Sequence, residues 1–139
     1  MREKKNIKLD IVNLLDEIQN GKYSNIQMNY YFSQNEYSKK EREFITNIIN
    51  VTLKNLIFVD YMLCQTVRNI QKRKIKQLLR ISAAQILFMD SDNAGVVYEA
   101  GEISKIINKH QTGFVNATLQ TILKNKEKFD EEIPKDNRE

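Results

Sequence analysis

The chain has 139 residues, 22 Lys and Arg against 18 Asp and Glu, and a formal net charge of +4. A domain of this size buries roughly 68% of the surface its unfolded chain exposes, enough for one core and too little for two full domains. Apolar residues make up 41% and charged residues 29%, a globular rather than a disordered composition. A single Cys, Cys64, excludes an intramolecular disulfide. With one His it leaves no set for an intrachain His/Cys zinc site, and no metal is expected. The charged start (Met1, Arg2, Glu3, Lys4, Lys5) lacks the apolar run of a secretory signal, and no stretch is long and apolar enough for a membrane span. A cytoplasmic protein is the expectation, and the lone thiol agrees with a reducing compartment.

Four Gly and one Pro are few for a chain of hairpins, so long helices with few sharp turns are expected. Gly21, Gly95, Gly101 and Gly113 are too scattered for a G-x-G-x-x-G or Walker loop, which excludes nucleotide cradles of those two kinds.

Residues 4–19 place Ile7, Ile11, Leu14, Leu15 and Ile18 on one helical face, and Asn20-Gly21 ends the helix as a left-handed cap does. Ser24 is positioned to cap a second helix over 25–34 that buries Ile26, Met28 or Tyr30, and Tyr31. Ser38 and Glu41 form an S-x-x-E capping box for a third, with Phe44, Ile45, Ile48, Ile49 and Leu53 inward. After a bend near Lys54-Asn55, residues 56–67 repeat apolar side chains at helical rather than strand spacing. A fifth helix over 72–89 turns Ile75, Leu78, Leu79, Ser82, Ile86 and Met89 to one side. A turn cluster at 90–95 precedes a sixth helix over 96–109, and Thr112-Gly113 separates it from a seventh over 114–125. The tail, 126–139, holds only Phe129 and Ile133 as apolar residues and reads as a linker or frayed end. The expected fold is all-α, about seven helices around one core within residues 1–125.

Between Asp60 and Asp90 there is no acidic residue, and six basic ones lie there: Arg68, Lys72, Arg73, Lys74, Lys76 and Arg80. Lys72, Lys76 and Arg80 share a helical face, a slightly destabilising arrangement that a polyanion would relieve. A solvated helix face explains the same pattern without a ligand. Arg2, Lys4, Lys5 and Lys8 make a second basic cluster. Tyr23, Tyr30, Tyr31 and Tyr37 lie among basic residues and suit either base stacking or packing.

Nothing assembles an active site. Cys64 sits beside Tyr61, Met62 and Leu63 and reads as core. His110 suits a helix C-terminus. Glu99 and Glu102 read as partners of Lys105 or as turn caps, and Asp90 and Asp92 as turn formers.

Three blocks together carry a family resemblance. LLRISAAQILFMD (78–90) resembles the LR-x-x-x-Y/A-Q-LL-x-x-D helix of the NusB superfamily, VYEAGEISK (97–105) its VNEAVELAK helix, and GFVNATL (113–119) its GFVNAVL helix. GKYSN (21–25) resembles the G-x-YSN block of the N-terminal domain of the Sun/Fmu/RsmB family of small-subunit rRNA (cytosine-5)-methyltransferases. So does SKKEREF…IINVTL (38–53), where Asn50 and Val51 stand for the usual Tyr-Gly. The residues from Ile133 to the end resemble the start of the linker into that family's catalytic domain.

The resemblance implies a NusB-like fold of two packed helical bundles that binds RNA, rRNA above all. The basic residues assigned to RNA are Arg2, Lys4, Lys5, Lys8, Lys72, Arg73, Lys76 and Arg80. Phe114 and Asn116 occupy the motif that, in NusB, meets a small-subunit ribosomal protein. The alternative to a methyltransferase domain is a stand-alone NusB-type transcription antitermination factor. No catalytic residue is expected in these 139 residues, and S-adenosylmethionine would bind a separate catalytic domain. The partner is RNA, with a ribosomal protein, the chain's own catalytic domain or a second copy as further options.

Overall fold

The computed structural model describes residues 6–67, 70, 72–89 and 92–126. Expectations for Arg2, Lys4, Lys5 and Arg68, for Asp90, and for the tail beyond Lys126 lie outside the described residues. Those residues form an all-α fold: α1 (Ile7–Gln19), α2 (Ser24–Gln34), α3 (Lys39–Lys54), α4 (Leu56–Thr66), α5 (Arg73–Phe88), α6 (Asn93–Asn108) and α7 (Thr112–Lys124). One 3-10 turn, Lys109–Gln111, joins the last two. The break there falls just before Thr112 and Gly113, which already belong to α7. Among the described residues no helix is long and apolar enough to cross a membrane.

The helix ends follow from local chemistry. Gly21 sits at φ +101°, a conformation that costs glycine no Cβ clash. Its N–H donates to the Ile18 carbonyl at 3.1 Å, and that of Lys22 donates to Glu17 at 3.2 Å, a Schellman stop. At α3 the capping box is complete: the Glu41 N–H donates to Ser38 Oγ at 3.1 Å, and the Ser38 N–H donates to Glu41 Oε1 at 2.8 Å. Ser24, expected as a cap, is instead the first residue of α2, and Tyr23 holds the cap position with no side-chain bond.

The core is organised by α5. From Gln77 to Leu87 every residue is buried, whichever way it points. A helix apolar or buried all round must be enclosed by others. Here α5 packs against α1, α3, α4, α6 and α7. The contacts α1–α2 and α1–α3 build one half around it and α6–α7 and α4–α7 the other, with α3–α4 and α1–α6 joining them. Fully buried Ile75, Leu78, Leu79, Ile81 and Ile86 each contribute about 1.5–3 kcal/mol by leaving water. Ala83 and Ala84, also fully buried, let the neighbouring helices approach closely.

Several side chains expected inside are outside. Only Met28 of α2 is buried, and Ile26 and Tyr30 are exposed. Phe44 lies at the rim of the buried stripe of α3, and Cys64 is exposed. On α4 the inward positions are Val59, Met62 and Leu63, which turns Ile57, Tyr61 and Cys64 outward at i, i+4, i+7.

Ser38→Ala removes the acceptor for the Glu41 N–H. The chain is expected to lose about 1 kcal/mol of unfolding free energy, read from its urea midpoint. An unchanged midpoint would show that water replaces the cap without cost.

Candidate nucleic-acid interface

The acid-free run of the sequence becomes a helix that starts in solvent and ends in the core. Lys72, Arg73 and Lys74 are exposed at the start of α5, and Lys76 is half-buried one turn on. Arg80, one turn further, is buried. The expected stripe Lys72–Lys76–Arg80 therefore runs inward and is not one solvent-facing row. Its inner member is neutralised internally. Arg80 Nε and Nη2 donate to the two carboxylate oxygens of Asp60 at 2.7 Å each, a bidentate pair. Its Nη1 donates to Gln77 Oε1 at 3.0 Å and to Gln19 Oε1 at 3.4 Å. Four of its five N–H donors are thus taken inside the fold, so it is a structural partner and not an open phosphate site.

Lys8 is likewise inside, with 2% of its side chain exposed. Its ammonium donates to Gln85 Oε1 of α5 and lies 3.7 Å from Glu99 Oε1 of α6. It ties α1 to both helices and does not present to a ligand. Burial pushes its pKa down to about 8, with Glu99 opposing the shift. Glu99 thus pairs with Lys8, while Glu102 pairs with Lys105 at 2.9 Å.

What remains exposed is the start of α5, and its electrostatics are unusual. Its N-cap residue, Lys72, makes no side-chain cap, and the first turn holds no acid. Free N–H groups and the positive end of the helix dipole coincide there with Lys72, Arg73 and Lys74. Cations at that end raise the local potential, and an anion is the natural complement. Arg73 has a local counter-charge among the described residues: its Nε lies 2.8 Å from Asp16 Oδ1 of α1, and its side chain stays 64% exposed. Lys74 belongs to this cluster as fully as Lys72. Lys74 stands in the basic run of the sequence but outside the set of residues assigned to RNA there.

A second polar surface lies on the outer side of α3. Lys39, Arg42, Glu43, Thr46, Asn47 and Asn50 line an open trough of about 430 Å³. Glu43 interrupts its charge, so it is a weaker anion site than the start of α5.

The α7 motif divides. Phe114 is half-buried against the core, whereas Asn116 is exposed. Large exposed apolar residues sit at the cap and on the body of α2 (Tyr23, Ile26, Tyr30), on α4 (Ile57, Tyr61) and on α6 (Tyr98, Ile106). Among the described residues no three His, Cys, Asp or Glu gather as a metal site would need.

Two outcomes test this division of the basic residues. Arg80→Leu leaves the Asp60 carboxylate without its partner and is expected to cost about 3 kcal/mol of stability. Lys72→Ala is expected to leave thermal unfolding unchanged. Equal losses from the two would contradict the burial difference. Lys8 makes a pH prediction. Its folded pKa lies below the unfolded one, so above about pH 8 the unfolded chain binds more protons. Stability should rise with pH above that point, by at most about 1.4 kcal/mol per pH unit. Lys8→Met should remove that rise in urea titrations across the same window.

The NusB family model matches residues 5–124. The probable ribosomal RNA small subunit methyltransferase B of Bacillus subtilis is 36% identical over 108 residues, covering 75% of this chain and 24% of that protein. The transcription antitermination protein NusB of Campylobacter jejuni is 24% identical over 131 residues, covering 91% of this chain and 99% of that protein. The chain thus spans about a quarter of the methyltransferase's length and nearly all of the antitermination protein's.

Proposed function

The chain belongs to the NusB family, and on that premise we propose that it is an RNA-binding domain that positions small-subunit rRNA for a linked cytosine-5 methyltransferase. The observation that carries the proposal is the uncapped, acid-free start of α5, where Lys72, Arg73 and Lys74 meet the positive end of a helix. The likeness to the Bacillus subtilis methyltransferase supplies the rRNA and the linked enzyme.

On this reading the domain does no chemistry. S-adenosylmethionine and the catalytic groups belong to a second domain. The residues of this chain bind and orient. Lys72, Arg73, Lys74 and Lys76 neutralise phosphates and release counterions, which holds the RNA without reading its sequence. Arg80 and Lys8 contribute indirectly, by fixing α5 against α4 and α1.

A second reading has its own support. The chain is 24% identical to the Campylobacter jejuni transcription antitermination protein NusB along 99% of that protein, which supports a NusB-type antitermination factor. Asn116, exposed on α7, then marks the surface for a ribosomal protein partner.

The test is fluorescence anisotropy with a small-subunit rRNA fragment and an unrelated RNA of equal length, at several salt concentrations. With about four phosphates neutralised on a single strand, log K should fall against log salt with a slope near −3. Lys72→Glu with Lys74→Glu should bring the slope to about half that. A preference for the rRNA fragment supports the methyltransferase reading, and RNA binding that requires an added ribosomal protein supports the antitermination one. An unchanged slope in the double variant would move the interface off α5.

A further inference from the structure

The outward face of α2 lies open to solvent. Tyr23, Ile26 and Tyr30 fall on one side of this helix, and they are 74%, 59% and 55% exposed. Between Lys22 and Glu36 the chain carries no charged side chain. The exposed remainder of the helix is amide and hydroxyl: Asn25, Asn29, Ser33 and Gln34. Three large exposed side chains at helical spacing, with no charge among them, form a surface rather than scattered residues.

The aromatic part of that surface is braced. The Tyr31 ring meets the Tyr30 ring edge-on, with centroids 6.3 Å apart and planes at 74°. The Tyr31 hydroxyl donates to Glu17 Oε2 of α1, and Gln27 donates to Glu17 Oε1. Burial and the Glu17 carboxylate push the Tyr31 hydroxyl pKa up, so it stays a donor. Glu17 therefore fixes Tyr31, and Tyr31 backs Tyr30. A ring held this way gives up little freedom when something stacks on it.

The same stretch of α1 also holds the basic cluster. Asp16 pairs with Arg73 at the start of α5, and its neighbour Glu17 holds α2. Consecutive residues point about 100° apart on a helix, so Asp16 and Glu17 engage α5 and α2 from adjoining faces at the end of α1. Exposed Lys22 lies in the turn between α1 and α2.

We propose that the Tyr23–Ile26–Tyr30 face of α2 is a base-stacking platform for single-stranded RNA, continuous with the Lys72–Arg73–Lys74 cluster across the end of α1. The proposal rests on the RNA-binding reading above and adds the surface that takes the bases. The division of labour is chemical. The start of α5 takes phosphates. The Tyr rings offer apolar faces to bases, and the Ile26 side chain fills the space between them. Stacking on tyrosine tolerates any base, so this face contributes affinity for unpaired RNA rather than a sequence code. The net positive charge of the chain favours RNA over an acid-poor protein surface as the occupant. A charge-free aromatic face beside a cationic one is what a single strand needs, with bases on one edge and phosphates on the other.

The experiment uses the full chain and two fluorescein-labelled probes of equal length: a single-stranded oligoadenylate and its abasic ribose-phosphate counterpart. Wild type should bind the oligoadenylate more tightly, by about tenfold for one stacked base. Tyr30→Ala should abolish that preference and leave the salt slope unchanged, and Tyr30→Phe should keep it. Lys72→Glu with Lys74→Glu should lower the slope on both probes and keep the preference. Circular dichroism confirms that each variant is folded, as its exposed position leads one to expect. If Tyr30→Ala and Tyr23→Ala both bind the two probes as wild type does, the platform is overturned while the α5 interface stands. The stripe is then a protein-docking face. If wild type binds neither probe nor the rRNA fragment at low salt, the RNA-binding reading itself fails.

Discussion

Burying α5 on every side sets the terms for the rest of the molecule. Eleven consecutive residues, Gln77 to Leu87, lie out of solvent, and among them are a charged group and side-chain amides whose burial calls for partners. Arg80 is the most demanding, since an unpaired buried guanidinium would cost several kcal/mol. Asp60 answers it from α4, with Gln77 from its own helix and Gln19 from α1. Gln85 takes the Lys8 ammonium, whose other neighbour is Glu99 on α6. The polar contacts of α5 thus reach α1 and α4 directly and α6 through Lys8, and they lock these helices together.

That lock explains where the charge ends up. The run from 61 to 89 has no acid, yet its cations meet opposite fates along a single helix. Those at the start of α5 stay in water. The one at position 80 is drawn inside and spent on Asp60. A surface cluster and a structural ion pair thus come from the same sequence feature, and the dividing line is the depth at which the neighbouring helices close over α5. The end of α1 organises the exposed side: Asp16 and Glu17, adjacent in sequence, hold α5 and α2 respectively.

Much of the fold is legible in the residues. Ser38 and Glu41 announce a helix start because both partners of the capping box lie within four residues. Asn20-Gly21 announces a stop because only the glycine tolerates the φ that closes α1. The inward positions of α3 and α5 follow from the 3.6-residue repeat of Ile45, Ile48, Ile49 and of Ile75, Leu78, Leu79. The family blocks on α5, α6 and α7 are legible for the same reason: they encode the close packing of one bundle. Misreadings gather where a helix has two plausible faces. On α2 and α4 apolar residues occur all round, and periodicity does not say which ones meet the core. Ile26, Tyr30 and Cys64 fall on the outer side for that reason.

The binding residues show the limit most plainly. Lys8 and Arg80 are indistinguishable from Lys72 and Lys74 as letters in a basic run, and nothing within a few residues of either names its partner. Asp60 lies 20 residues from Arg80, and Gln85 lies 77 residues from Lys8. Helix class, several helix ends, the apolar repeat and the overall positive charge are local properties, and the sequence by itself determined them. Whether a given cation faces water or a carboxylate was decided only by the tertiary structure, because burial is a property of what packs against a residue and not of the residue.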